Sequence, residues 1–178
     1  MSDLPTYVLE RVFDAPRQLV WKTWTDPVLL ARWYGPNVET IIHRLDVTPG
    51  GLWLNEMKWG ENSMYQRAEY TDVVEPERIV CLMSSTNANW EVATNPKMPD
   101  WPRVLLTTVV FDETDGKTTM RLTWQPYRRT LLRLPALQPQ STAWAKVGAR
   151  VWNCWPSCWL NCKLEWRRNA SAVRAAAA

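Results

Sequence analysis

The chain reads as an α+β domain: a curved antiparallel sheet of about six strands, two short helices after strand 1, and a position for a long C-terminal helix. Three observations predict this. The stretch Phe13 to Pro36, FDAPRQLVWKTWTDPVLLARWYGP, holds two helix starts in quick succession. Around it lie short alternating runs divided by Gly, Pro, Asn and Asp turns. Finally, 178 residues with 46% hydrophobic content suffice for one domain with a real core.

The elements follow in order. Tyr7 to Phe13 alternates as a first strand. Asp14 precedes Pro16 and Asp26 precedes Pro27, so each acidic side chain can accept from free amides while proline occupies the first helical turn. The first helix carries Leu19, Val20, Thr23 and Trp24 on one face. The second carries Val28, Leu30, Ala31 and Trp33–Tyr34 before Gly35-Pro36 stops it. Glu39 to Val47 is a second strand, followed by a Pro49-Gly50-Gly51 turn. Leu52 to Trp59 is a third, with Trp53, Asn55, Met57 and Trp59 on one face. Met64 to Val74 and Arg78 to Ser84 come next, divided by Glu75-Pro76-Glu77. A polar loop from Thr86 to Pro102 carries Trp90 and Trp101, both expected at the surface. Arg103 to Phe111 and Thr118 to Trp124 then form a hairpin with Asp115-Gly116 as the turn signal. A sheet in this order has one concave apolar face that a helix must cover.

The strings RVFDAP, VWKTWTDP, LLARWYGP, DVTPGG, EY.DVVEPERIV and GKTTMRLTW occur in this order. Together they resemble the SRPBCC or START-like superfamily, the helix-grip (Bet v 1-like) fold, over residues 7–127. Within it the chain is most similar to homologues of the C-terminal domain of the activator of heat-shock protein 90 ATPase. The resemblance implies a long C-terminal helix across the concave sheet with an apolar ligand cavity beneath, and the family name implies a chaperone partner.

The tail departs from that pattern. Residues 1–127 hold 12 Lys+Arg and 17 Asp+Glu, whereas residues 128–178 hold nine basic residues and one acid, Glu165. The tail also holds three of the four cysteines and five of the 13 tryptophans. Pro156 falls inside its best helical run, at a cost of about 3 kcal/mol. The genetic code supplies a reason. When the last base of each codon is read with the first two of the next, Trp152–Asn153 forces Glu, while Asn153–Cys154 and Cys154–Trp155 each force Leu. A consistent codon choice from Ala136 through Leu164 gives FAAAVDGLGKGWGAGMELLAELLAELQA, an amphipathic helix with a Gly-Trp lead-in. The expectation is therefore a core at 1–127, an out-of-frame C-terminal helix region at 128–169, and a read-through or vector-like tail at 170–178. Sequencing the gene around the Tyr127 codon tests it; a verified frame shared with related proteins ends the idea.

This reading removes several motifs. Cys154, Cys158 and Cys162 at i, i+4, i+8 suggest a metal or redox site, but CTG leucine codons read one base late become Cys or Trp. No metal and no cofactor are expected. The basic, Trp-rich tail has the same origin, so no nucleic-acid partner is expected. No apolar run is long enough to span a bilayer, and the N-terminus lacks the shape of a signal peptide, so no membrane partner and a cytoplasmic location are expected.

Catalytic constellations are sparse in the remainder. His43, the single histidine, reads as an ordinary strand residue rather than a general base. Glu56 and Glu69 reach either a cavity rim or a solvated strand face. Cys81 reads as a buried structural thiol. Trp33, Trp53, Met57, Val109, Phe111, Met120 and Trp124 converge on the concave face and are the candidate ligand-binding residues. Two functions follow. One is a binding module for an apolar small molecule, without chemistry. The other is an enzyme of cyclase, hydrolase or dehydratase type, as some superfamily relatives are, acting on an aromatic or polyketide-like ligand in the same cavity. A tail that left the sheet uncovered would expose an apolar patch and favour a homodimer.

Overall fold

The computed structural model describes residues 6–35, 38–94 and 101–127. The expected C-terminal helix, the tail and the three tail cysteines lie outside them.

Strand β1 (Tyr7–Phe13) leads into α1 (Arg17–Thr25) and α2 (Pro27–Trp33). Six strands follow: β2 (Glu39–Leu45), β3 (Leu52–Trp59), β4 (Asn62–Val74), β5 (Arg78–Thr86), β6 (Val104–Thr114) and β7 (Lys117–Pro126). All seven join one curved sheet in the order β1-β7-β6-β5-β4-β3-β2, and every neighbouring pair is antiparallel. The helix-grip architecture predicted from the sequence is present. Six strands follow the helices, as expected, and β1 makes the seventh by pairing with β7.

The two helices start differently. Asp26 caps α2 as predicted, its carboxylate accepting from the amides of Val28 at 2.9 Å and Leu29 at 3.1 Å, with Pro27 in the first turn. At α1 the cap position falls to Pro16, not to Asp14. Proline has no side-chain group to cap the turn. Instead Glu113, at the far end of β6, accepts from the Arg17 amide at 2.7 Å. An ion pair between Arg17 and Glu77 at 3.3 Å and a bond from Gln18 to Glu75 at 3.2 Å tie the same end of α1 to the β4–β5 turn. The helix is capped by the sheet it sits on.

Both helices bury their faces on one side of that sheet. Leu19, Val20, Trp21, Thr23 and Trp24 of α1 are buried, as are Leu30 and Trp33 of α2. Val28, expected on the buried face, is 61% exposed because it sits in the first turn of a seven-residue helix whose packed stripe starts later. The helices are joined by the Trp33 indole N–H, which donates to the Thr23 carbonyl at 2.8 Å in the interior.

Turn chemistry agrees with the sequence. Asp115 and Gly116 both take positive φ, 53° and 72°, closing the β6–β7 hairpin with Thr114 opposite Lys117. Gly51 serves a different need: a Cβ there would run into the Asp46 carbonyl, so the β2–β3 connection requires glycine on steric grounds. Trp101, expected at the surface, is half-buried against the core.

Candidate functional site on the inner wall of the sheet

Strand alternation and register decide what the inner wall contains. On β6, Leu105, Thr107, Val109 and Phe111 are buried, and on β7, Thr118, Met120, Leu122 and Trp124. The pairings Thr107 with Trp124, Val109 with Leu122 and Phe111 with Met120 put these residues side by side on one face. Ile79 and Cys81 of β5 continue the wall opposite Val109 and Thr107. Trp53, Asn55 and Met57 form its β3 portion. The helices close onto it through rings: Trp21 meets Phe111 edge-on at 5.7 Å, and Trp24 meets Phe111 at 6.0 Å. From Trp24 the rings continue to Trp33 at 4.8 Å, on to Tyr34 at 5.6 Å, and from Tyr34 to Trp53 at 4.7 Å.

All seven candidate residues are buried: Trp33, Trp53, Met57, Val109, Phe111, Met120 and Trp124. Six of them, all but Met57, belong to one continuous apolar cluster. Phe111, Met120 and Val109 form the tightly packed centre, while Trp53 and Met57 lie toward the β2 edge.

That edge holds something the sequence did not single out. Asn55 is 1% exposed, and among the described residues neither its amide nitrogen nor its amide oxygen has a hydrogen-bond partner. The indole N–H of Trp53, two residues away on the same face, is also buried and unbonded. A buried polar group without a partner costs about 1–3 kcal/mol, so such atoms in a native fold mark a place where a water or a ligand completes the bonding. The signal was legible: Asn55 is the one amide in an apolar alternation of Trp53 and Met57. Beside it on β4, Gln66 already accepts from the Tyr34 hydroxyl at 2.7 Å. Burial first, and then the neighbouring Cys81, hold that hydroxyl well above the usual phenol range, so Tyr34 stays a donor.

The titratable groups lie elsewhere. His43 is the extra residue of a bulge in β2, between the paired positions Ile42 and Arg44. Its Nε2 lies 2.9 Å from Glu56 Oε2, and the Ser63 hydroxyl donates to Glu56 Oε1 at 2.6 Å. Trp90, held at a φ of 64°, packs its ring on His43 at 5.2 Å and on Tyr65 at 5.5 Å. Glu56 sits between the buried Asn55 and Met57 and so points to the opposite face of the sheet; Glu69 is exposed there too, bonded to Arg67 at 3.0 Å. The sheet therefore places both carboxylates on its outer face, not on a cavity rim. The order Ser63–Glu56–His43 also puts the carboxylate in the middle, whereas a nucleophilic triad needs the histidine there. The Ser63 bond, followed by that of His43, holds the Glu56 carboxyl below its ordinary value, which makes it a weaker base. Cys81 is a buried thiol as expected, and burial pushes it up to about 12. A cleft of about 380 Å³ beside α1, lined by Gln18, Trp21, Lys22, Val47, Val73 and Glu75 among others, involves none of the seven predicted positions. Among the described residues no helix is long and apolar enough to cross a membrane.

Known structures share this architecture. A protein of Mycobacterium smegmatis superposes with a TM-score of 0.64 at 20% identity, over 89% of this chain and 88% of that one. One from Staphylococcus epidermidis gives 0.65 at 21% identity, over 91% and 88%. One from Rhodobacter sphaeroides gives 0.66 at 13% identity, over 88% and 93%. At such identities the likeness speaks for the fold. No curated protein matches the chain. The sequence model of the family described as activator of Hsp90 ATPase homolog 1-like protein matches residues 14–155, which is most of the chain. With the order of its motifs, the two capped helices and the seven-stranded sheet in agreement, the chain belongs to that family.

Proposed function

We propose that this protein is a binding module that holds an apolar small molecule against the inner wall of its sheet. The observation that carries this reading is the composition of the wall at β3. It is aromatic and aliphatic, yet it contains buried polar atoms that no described residue satisfies, those of the Asn55 amide and the Trp53 N–H. Ligand pockets have that make-up, mostly apolar with a few convergent polar groups. The enzyme alternative of cyclase, hydrolase or dehydratase type lacks such support, because the His43–Glu56 pair lies on the other face of the sheet. A chaperone partner rests on the family description alone.

A thermal-shift screen with aromatic and polyketide-like compounds tests the reading. Binders should raise the melting temperature in proportion to affinity and concentration, and Trp53→Ala or Met57→Ala should abolish the shift. Ligands whose effect survives both substitutions would place binding elsewhere. Turnover of a bound compound that disappears in His43→Ala would restore the enzyme.

A further inference from the structure

We propose that Asn55, together with the Trp53 indole N–H, forms a neutral head-group subsite that selects apolar ligands ending in a carboxamide-like donor–acceptor group. The inference rests on the binding-module reading and adds the chemical class of the ligand.

A carboxamide side chain presents one acceptor oxygen and two donor hydrogens on one planar group. Both of its heavy atoms are unbonded at Asn55, and the residue is fully buried. The neighbouring Gln66 does not fill the gap: its oxygen accepts from the Tyr34 hydroxyl, and neither Asn55 atom is bonded to it. A single-function head leaves part of Asn55 unmet. A ketone or ester accepts but cannot donate, and an apolar ligand meets neither atom. A carboxamide, lactam or undissociated carboxylic acid meets both at once, through two parallel hydrogen bonds. Trp53 stands two residues along the same face, roughly 7 Å away by strand geometry, and offers a further donor to a second acceptor on the ligand. A carboxylate is disfavoured, because burying an unpaired charge is costly. None of the inward positions around Asn55 on β2, β3 and β4, among them Ile42, Leu45, Met57, Met64 and Gln66, is basic. Ala68, the cross-strand partner of Trp53, keeps the wall shallow beside the indole.

The test is calorimetric titration of the full chain with naphthamide, its N,N-dimethyl derivative, naphthoate and naphthalene. The dimethyl compound keeps the acceptor and loses the donor. The wild type should bind naphthamide roughly tenfold or more tightly than the dimethyl compound or naphthoate, since unmet buried polar groups penalise the wrong partner. Asn55→Leu should lose that preference and bind naphthalene at least as well as the wild type does. Asn55→Ala removes the amide without adding bulk and should lose the preference in the same way; it serves if Asn55→Leu does not fold, as judged by circular dichroism. Equal affinity of the wild type for naphthamide and its dimethyl derivative would overturn the head-group assignment and leave the binding module standing, as would a preference for naphthoate. A preference that persists in Asn55→Leu would overturn it as well, by showing that the amide is read elsewhere. Failure of every protein to bind naphthalene or naphthamide would bring down both readings together.

Discussion

Asn55 and Glu56 are neighbours in sequence and opposites in environment. Asn55 points into the wall, buried, with no partner for either amide atom among the described residues. Glu56 points outward and is bonded by Ser63 and His43. The outer-face cluster of His43, Glu56 and Ser63 resolves its polar chemistry within itself, with His43 and Tyr65 further covered by Trp90. The inner face does not. A polar group that the fold satisfies contributes to the fold; one that the fold leaves open is available to something else. The better-connected cluster, with its histidine, carboxylate and hydroxyl, is thus the poorer functional candidate.

The sharpest way to break this contrast is at the centre of each face. Phe111→Ala removes a ring with no exposed surface and should cost about 3–5 kcal/mol in urea unfolding. His43→Ala, at an exposed bulge, should cost under about 1 kcal/mol. Comparable losses would mean that the outer cluster is structural to a degree its exposure does not suggest. Next in size is Asn55→Leu without ligand, which replaces an unmet amide by an apolar group of similar shape. It should stabilise the protein by about 1–3 kcal/mol, and a loss of stability would indicate a bound water that the amide needs. The smallest effect concerns acid. Glu56 has its carboxyl held below the ordinary 4.5 by Ser63 and then His43. Its contribution is therefore present above that value and is lost as pH falls through the lowered one. Glu56→Gln should lower the melting temperature slightly near neutrality, by an equivalent well under about 1 kcal/mol, and the gap should close in acid. A gap that widens in acid would reverse the sign assigned here.

Much of the framework was legible from the sequence because its signals are local. Asp115-Gly116 names its turn, Asp26-Pro27 names a helix start, and Thr118 to Trp124 alternates cleanly. The misses have non-local causes. The Arg17 amide at the start of α1 is met by Glu113, 96 residues away in the chain, and no windowed reading can see that. The bulge at His43 offsets one residue from the pairing, so alternation alone could not place its side chain. The aromatic wall was found because bulky residues two apart on a strand share a face. Asn55 was placed on that face too, but its role depends on an absence of partners, which only packing reveals.

The pairing of Tyr7–Phe13 with β7 carries a consequence for biosynthesis. Tyr7 lies opposite Trp124 and Phe13 opposite Thr118, so the earliest strand of this sheet to be made pairs with the latest one. Its successor β2 ends on the far edge, about 29 Å away at ordinary strand spacing, a span bridged by two helices of nine and seven residues. Until β7 is made, the amphipathic β1 and the tryptophans of both helices have no completed surface to settle on. Such long-range closure is slow and leaves apolar segments open to chaperones or to aggregation in the meantime. A nascent chain halted anywhere before Lys117 should be soluble only in the company of a holdase.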